Sequence, residues 1–170
     1  MKHFIALLTL TAFFYSTLPA SAALFSYPSE DKVWFTVDIP AAWKPAIDDD
    51  ETLEATSPEE DAYLAFWVLK GKTEIAGLEK DIDDTLKELV KKPKLTSDTP
   101  TKKTINGIEF TMFAGTGKDA DDNSPLGFEI FLFSPQPGKL GIFYCQYKAD
   151  ATKPVIASLI KVVESIKKGK

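Results

Sequence analysis

The residues best placed to do chemistry are Asp119, Asp121 and Asn123, three oxygen-bearing side chains at alternate positions in the run Asp119-Ala120-Asp121-Asp122-Asn123. That spacing matches the first three ligands of a calcium loop, where carboxylate and amide oxygens surround a hard cation. The rest of the loop departs from the pattern. Its sixth position is Ser124 where glycine makes the turn, and its twelfth is Ile130, with Glu129 one residue early. The expectation is a weak Ca²⁺ site, set against an ordinary solvated loop; no other cofactor is expected. A second candidate set is aromatic. Phe131, Phe133, Phe143 and Tyr147 could line a groove for an apolar ligand or a partner helix, the competing reading being ordinary core beneath a helix.

Two absences remove much of the remaining chemistry. The one histidine, His3, lies in the leader described below, and the 20 basic residues are all lysine. Without imidazole in the mature chain, Ser-His-Asp and Cys-His catalysis and His-ligated metals are excluded. Without arginine there is no guanidinium fork for a carboxylate or phosphate. The one cysteine, Cys145, sits inside an apolar strand, so no intramolecular disulfide can form and a buried, inert thiol is expected. Carboxylate pairs could still hydrolyse glycosides, but spacing in sequence does not set two carboxyls across a cleft. The chain is therefore not expected to be an enzyme.

The N-terminus reads as an export signal. Met1-Lys2-His3 supplies positive charge, Phe4 to Leu18 is an apolar run of 15 residues, and Ala20-Ser21-Ala22 puts small side chains at a cleavage site. The run is shorter than the roughly 18 apolar residues that span a bilayer. Cleavage is expected between Ala22 and Ala23, leaving a periplasmic or secreted chain of 148 residues with no stable membrane span. One domain, residues 23–170, fits that length. Its 19 lysines against 25 acidic residues give a formal charge of −6, a poor match to nucleic acid.

The elements that must position these groups centre on the segment from Leu126 to Lys148, two apolar strands joined by Ser134-Pro135-Gln136-Pro137-Gly138. Pro137 presets φ and Gly138 accepts the positive φ of a type II turn. Strand side chains alternate between faces, yet both parities here are apolar, so both faces of the sheet must be covered. Ala62 to Lys70 carries the same double-sided pattern. Ala23 to Lys32 reads as a short lead, loosely ordered at its start, Val33 to Ile39 as a strand stopped by Pro40, and Thr52 to Thr56 as a short strand. A helix is expected from Thr73 to about Lys91, with Ile75, Leu78, Ile82, Leu86, Leu89 and Val90 as its apolar stripe. Thr96 to Ile105 reads as an edge segment. Asn106-Gly107 supplies the two positive φ values of a type I′ hairpin. Asp150 or Thr152 should cap a last helix with Pro154 in its first turn and Val155, Leu159, Val162 and Ile166 on its stripe, widened by Ile156, Ile160 and Val163. The order predicts an α+β fold: an antiparallel sheet of six or seven strands with two covering helices.

Phe35-Thr36-Val37-Asp38-Ile39-Pro40-Ala41-Ala42-Trp43 resembles the opening strand of the PsbP-like superfamily, which ends in Ile-Pro with a nearby Trp. The resemblance continues through the double-sided strand Ala62 to Lys70, the helix, the Asn106-Gly107 hairpin and a strand pair before a closing helix. It implies an α-β-α sandwich acting as a binding or assembly module. Taken together, these readings predict a soluble envelope protein that binds a protein partner, as an accessory or chaperone-like module. The alternatives are a carrier of a small apolar ligand, a weak Ca²⁺ binder, or an enzyme working through carboxylates.

Overall fold

The computed structural model describes residues 21–69, 71 and 78–169. The apolar leader over residues 1–20, and the Thr73 cap and Ile75 of the expected first helix, lie outside the described residues. The chain begins with β1 (Ala22–Ser29) and β2 (Lys32–Pro40), an antiparallel pair. The lead expected to be loosely ordered at its start is therefore a strand. Its core-facing Tyr27 is 1% exposed, and the burial of that ring is what a local reading of Ala23 to Lys32 could not foresee. Ala22 pairs with Pro40 and Ala23 with Ile39, so the expected cleavage bond lies in the first step of β1.

A 3-10 turn, Ala41–Trp43, buries Trp43 and is followed by β3 (Ala46–Ile47), β4 (Leu53–Thr56) and β5 (Ala62–Leu69). Helix α1 covers Glu79–Leu89 and passes directly into β6 (Val90–Leu95). The helix thus ends before Val90, short of the Lys91 expected from sequence. Pro93 disfavours helical geometry in the residue before it, and Lys92 takes φ 53°. Next come β7 (Thr101–Ile105), β8 (Ile108–Asp119), β9 (Pro125–Phe133), β10 (Leu140–Lys148), α2 (Lys153–Ser165) and β11 (Lys167–Lys168). Both turns predicted from sequence form: Asn106 and Gly107 have φ 50° and 75°, and Gly138 has φ 76°. Thr152 is the residue preceding α2, and Pro154 lies in its first turn.

Every strand pairing described is antiparallel, and the fold is α+β. The single sheet of six or seven strands is corrected to two. Among the described residues, an eight-stranded sheet has the order β3-β4-β5-β10-β9-β8-β6, with β7 also on β8, and a smaller sheet has the order β1-β2-β11. The edge of β8 is shared end to end. Val90–Leu95 pairs with Asp119 to Gly115 and Thr101–Ile105 with Met112 to Ile108, so the chain bulges outward between them.

The helices take opposite sides of the large sheet. Leu78, which precedes α1, and Ile82 and Leu86 within it pack with Phe128, Ile130, Leu132, Ile142 and Tyr144 on one face. On the other, Leu159, Val162 and Val163 of α2 and Phe35, Val37 and Ile39 of β2 enclose Leu64, Phe66, Phe131, Phe133 and Phe143. This is why β5, β9 and β10 are apolar on both parities. Of the wider α2 stripe, Val163 is buried, whereas Ile160 is 49% exposed. Rings organise the second core. Phe66 stacks on Phe143 at 4.3 Å, Phe143 on Phe131 at 5.3 Å and Phe110 on Phe133 at 5.0 Å, while Phe35 meets Phe133 edge-on at 5.4 Å.

Candidate functional site

The two candidate sets from the sequence separate in space. Phe131, Phe133 and Phe143 are 3%, 0% and 0% exposed, enclosed between the large sheet and the layer formed by β2 and α2. The aromatic groove is therefore corrected to core for these three. The physical reason is that the smaller sheet, unseen in sequence, supplies a second cover beside α2. Tyr147 alone of the four stays half-buried, and it lines an open cleft of about 600 Å³ at one end of the large sheet. Asp119 and Asp121 line the same cleft, together with Tyr63, Glu88, Gln146 and Lys148.

Local hydrogen bonding fixes the cleft walls. In the β4–β5 turn, the Ser57 backbone N–H donates to the Ala62 carbonyl at 2.8 Å and Glu60 N–H to the Ser57 carbonyl at 2.9 Å. The buried Ser57 hydroxyl donates to Asp61 Oδ1 at 2.6 Å and accepts from the Asp61 and Ala62 amides at 3.1 and 3.0 Å. Between β8 and β9, Asp119 Oδ1 accepts from the amides of Asp121 at 2.8 Å and Asp122 at 3.3 Å. Asp122 Oδ1 in turn accepts from the Ser124 amide at 2.7 Å. These are Asx turns, in which short acidic side chains satisfy the backbone of the bend.

A part-buried relay holds the other oxygen of Asp119. The Tyr144 hydroxyl donates to Gln146 Oε1 at 2.6 Å, and Gln146 Nε2 donates to Asp119 Oδ2 at 3.2 Å. Tyr144 is fully buried, and burial pushes its phenol well above the ordinary tyrosine range, so it remains a neutral donor. Tyr63 donates to Glu54 Oε1 at 2.6 Å; burial first, then that bond to a carboxylate, raises its pKa strongly. Burial, reinforced by the charge of Glu129, raises Tyr147. The cleft thus offers fixed carboxylate acceptors, neutral hydroxyls and the Lys148 ammonium.

Asp119, Asp121 and Asn123 of the calcium pattern lie at and beyond the end of β8, in the bend leading to β9. Both oxygens of Asp119 are engaged by protein donors, and Asn123 adopts φ 63° in the exposed bend. Among the described residues, no group of three His, Cys, Asp or Glu side chains converges as a metal cage. Cys145 is 1% exposed, and burial, then the nearby Glu129 charge, raises its thiol well above the ordinary range, as an inert thiol requires. Sequence reasoning missed Gln146 and Tyr63. The available signal was a polar Gln146 within the apolar run of β10, which needs a partner once buried.

Glycines make room for aromatic rings across the large sheet. Gly127 lies directly opposite Tyr147 in the β9–β10 register, and a Cβ added to it would fall 2.7 Å from the Tyr147 ring. The ring occupies the space that any other residue would fill. Gly115 opposite Phe128 and Gly141 opposite Phe133 repeat the arrangement.

Among the described residues, no helix is long and apolar enough to cross a membrane. No protein-family model matches the chain, and no curated protein matches it in sequence. Solved structures do share its fold. A crystal structure from Bacteroides thetaiotaomicron aligns at TM-score 0.59 and 13% identity over 88% of this chain and 49% of that one, so this chain spans about half the length of that protein. PA94, a Pseudomonas aeruginosa protein of unknown function, aligns at TM-score 0.52 and 11% identity over 85% of this chain and 94% of its own. LpqN, involved in cell envelope biogenesis in Mycobacterium tuberculosis, aligns at TM-score 0.44 and 14% identity, over 89% of this chain and 86% of its own. At 11–14% identity the first two alignments establish a likeness of fold.

Proposed function

We propose that the mature chain, cleaved between Ala22 and Ala23, is an exported envelope protein of PsbP-like type that binds a protein partner without catalysing a reaction. It would serve as an accessory or chaperone-like module. The observation that supports this reading is the Tyr144–Gln146–Asp119 relay, which holds a carboxylate on the wall of an open cleft before any partner arrives. Groups fixed by bonds to one another lower the ordering cost of association. The cleft is open and mixed in polarity, which suits a side chain or bend of a protein more than an enclosed apolar ligand. The acidic residues favour a partner surface carrying lysine or arginine.

The test is photo-crosslinking in the native envelope. A photoreactive residue at Ala120 should capture a discrete polypeptide, identified by mass spectrometry, and the double charge reversal Glu88→Lys with Asp121→Lys, which leaves the bonds of Asp119 in place, should abolish capture while export and folding persist. Capture that is indifferent to charge reversal, or no polypeptide at all, would sink the reading. The same spectra should show a mature N-terminus at Ala23.

A further inference from the structure

Glu129 is anomalous. It occupies the middle of β9, a strand otherwise apolar on both faces, directly between Ala114 of β8 and Cys145 of β10. Its side chain projects to the same face as Phe131 and Phe133, and is only partly exposed. Among the described residues, no side chain or backbone group hydrogen-bonds its carboxyl, and no cation pairs with it. Burial holds its pKa above the usual carboxylate value. No unpartnered side-chain oxygen is fully buried among the described residues, so the Glu129 carboxylate still reaches solvent and is open to a ligand.

The fold leaves a space above it. Because β6 and β7 share the edge of β8, the connection between them bends outward at Thr96–Pro100, anchored by the Thr96 amide donating to the Ala114 carbonyl at 2.8 Å. The Ser97 hydroxyl accepts from the Thr99 amide at 3.1 Å and stiffens the bend. The result is a pocket of about 200 Å³ in which Glu129 and Met112 meet a rim of Thr96, Ser97, Thr99 and Thr101. A carboxylate, a thioether-bearing apolar wall and a ring of hydroxyls suit one chemical class: a compact cation on a short apolar stem. A bare metal ion would want several carboxylate oxygens, which the pocket lacks.

We propose that the pocket over Glu129 binds a primary alkylammonium group, with the Glu129 carboxylate as its counter-ion, Met112 against its stem and the Thr96–Thr101 bend as its polar rim. The ammonium could come from a free amine or from a lysine side chain of another protein. The pocket is separate from the Asp119 cleft, so the inference stands whether or not that cleft binds a partner.

The test uses the mature chain and amide ¹H–¹⁵N spectra, with n-butylammonium as probe and n-butanol as its uncharged counterpart. Saturable shifts confined to Thr96–Thr101 and the Ala114 region are expected with the amine and not with the alcohol. Glu129→Gln should weaken binding roughly tenfold or more, the signature of a lost charge pair. Ala114→Leu, which fills the pocket and leaves Glu129 in place, should weaken it too and covers the case in which the first variant folds poorly. Equal shifts with the alcohol, no saturation with the amine, or binding unchanged in both variants would overturn the proposal. A blocked lysine, Nα-acetyl-lysine N-methylamide, separates the two sources: affinity matching butylammonium assigns the site to a protein lysine, and exclusion of the blocked lysine assigns it to a free amine.

Discussion

The side-chain amide of Asn106 donates to the carbonyl of Ile166 at 2.8 Å, and also to that of Glu164 at 2.8 Å. One residue therefore makes the β7–β8 turn and satisfies carbonyls at the C-terminal end of α2, 60 positions later in the chain. Asn106→Gly keeps the positive φ and removes both bonds. It should cost about 1–2 kcal/mol in urea unfolding, with amide exchange faster at Lys167 and Gly169 than in β9.

Gly127→Ala should destabilise by about 1–3 kcal/mol, because the new methyl meets the Tyr147 ring and the strand cannot retreat. Adding Tyr147→Ala should recover much of that loss. A double-mutant cycle by chemical denaturation measures the coupling, and additive costs would show that the ring is not what forbids the methyl.

Gln146→Met removes the acceptor of a fully buried hydroxyl at Tyr144. The expected cost is about 1–3 kcal/mol, and Tyr144→Phe in that background should restore part of it, since both polar groups are then gone. Thermal unfolding of the three variants decides the matter. The Asp119 side chain should also become more mobile, visible as altered shifts across residues 119–124.

Alkaline pH should loosen the β1–β2 layer. Burial, reinforced by the charge of Glu51, pushes the Tyr27 phenol from its ordinary value up to about 12, and its hydroxyl donates to the Glu51 carbonyl at 2.6 Å. A raised folded pKa means that the unfolded chain gives up the proton first. The stabilisation is then intact below about pH 10 and is lost as pH rises through 12. Tyr27→Phe should flatten that part of the stability profile, read by urea midpoints across the range.

Phe133→Ala should cost about 3–5 kcal/mol, since the ring packs on Phe110, Phe35 and Gly141 at once. A well-folded variant with altered ligand or partner binding would instead return these rings to a functional role.

The sequence alone determined the features ruled by short-range sterics and alternation. Asn106-Gly107 and Pro137-Gly138 announced their turns because few other residues tolerate those backbone angles, and the angles are found there. Residues apolar on both parities in β5, β9 and β10 required two covers, and the helices do lie on opposite faces. Tertiary structure decided what depends on distant partners. Ala22–Ser29 has no local reason to be ordered, and becomes a strand because β2 offers it an edge and the core offers Tyr27 a place. Val90 fits the helical rhythm of α1 equally well, and leaves it for an edge beside Gly117, where its side chain fills the space of a missing Cβ. Phe143 and Tyr147 share a strand face, yet only Tyr147 reaches the cleft, because the cover supplied by β2 and α2 encloses Phe143 fully. Covering layers and strand register, set across the whole chain, sorted these aromatic rings into core and site.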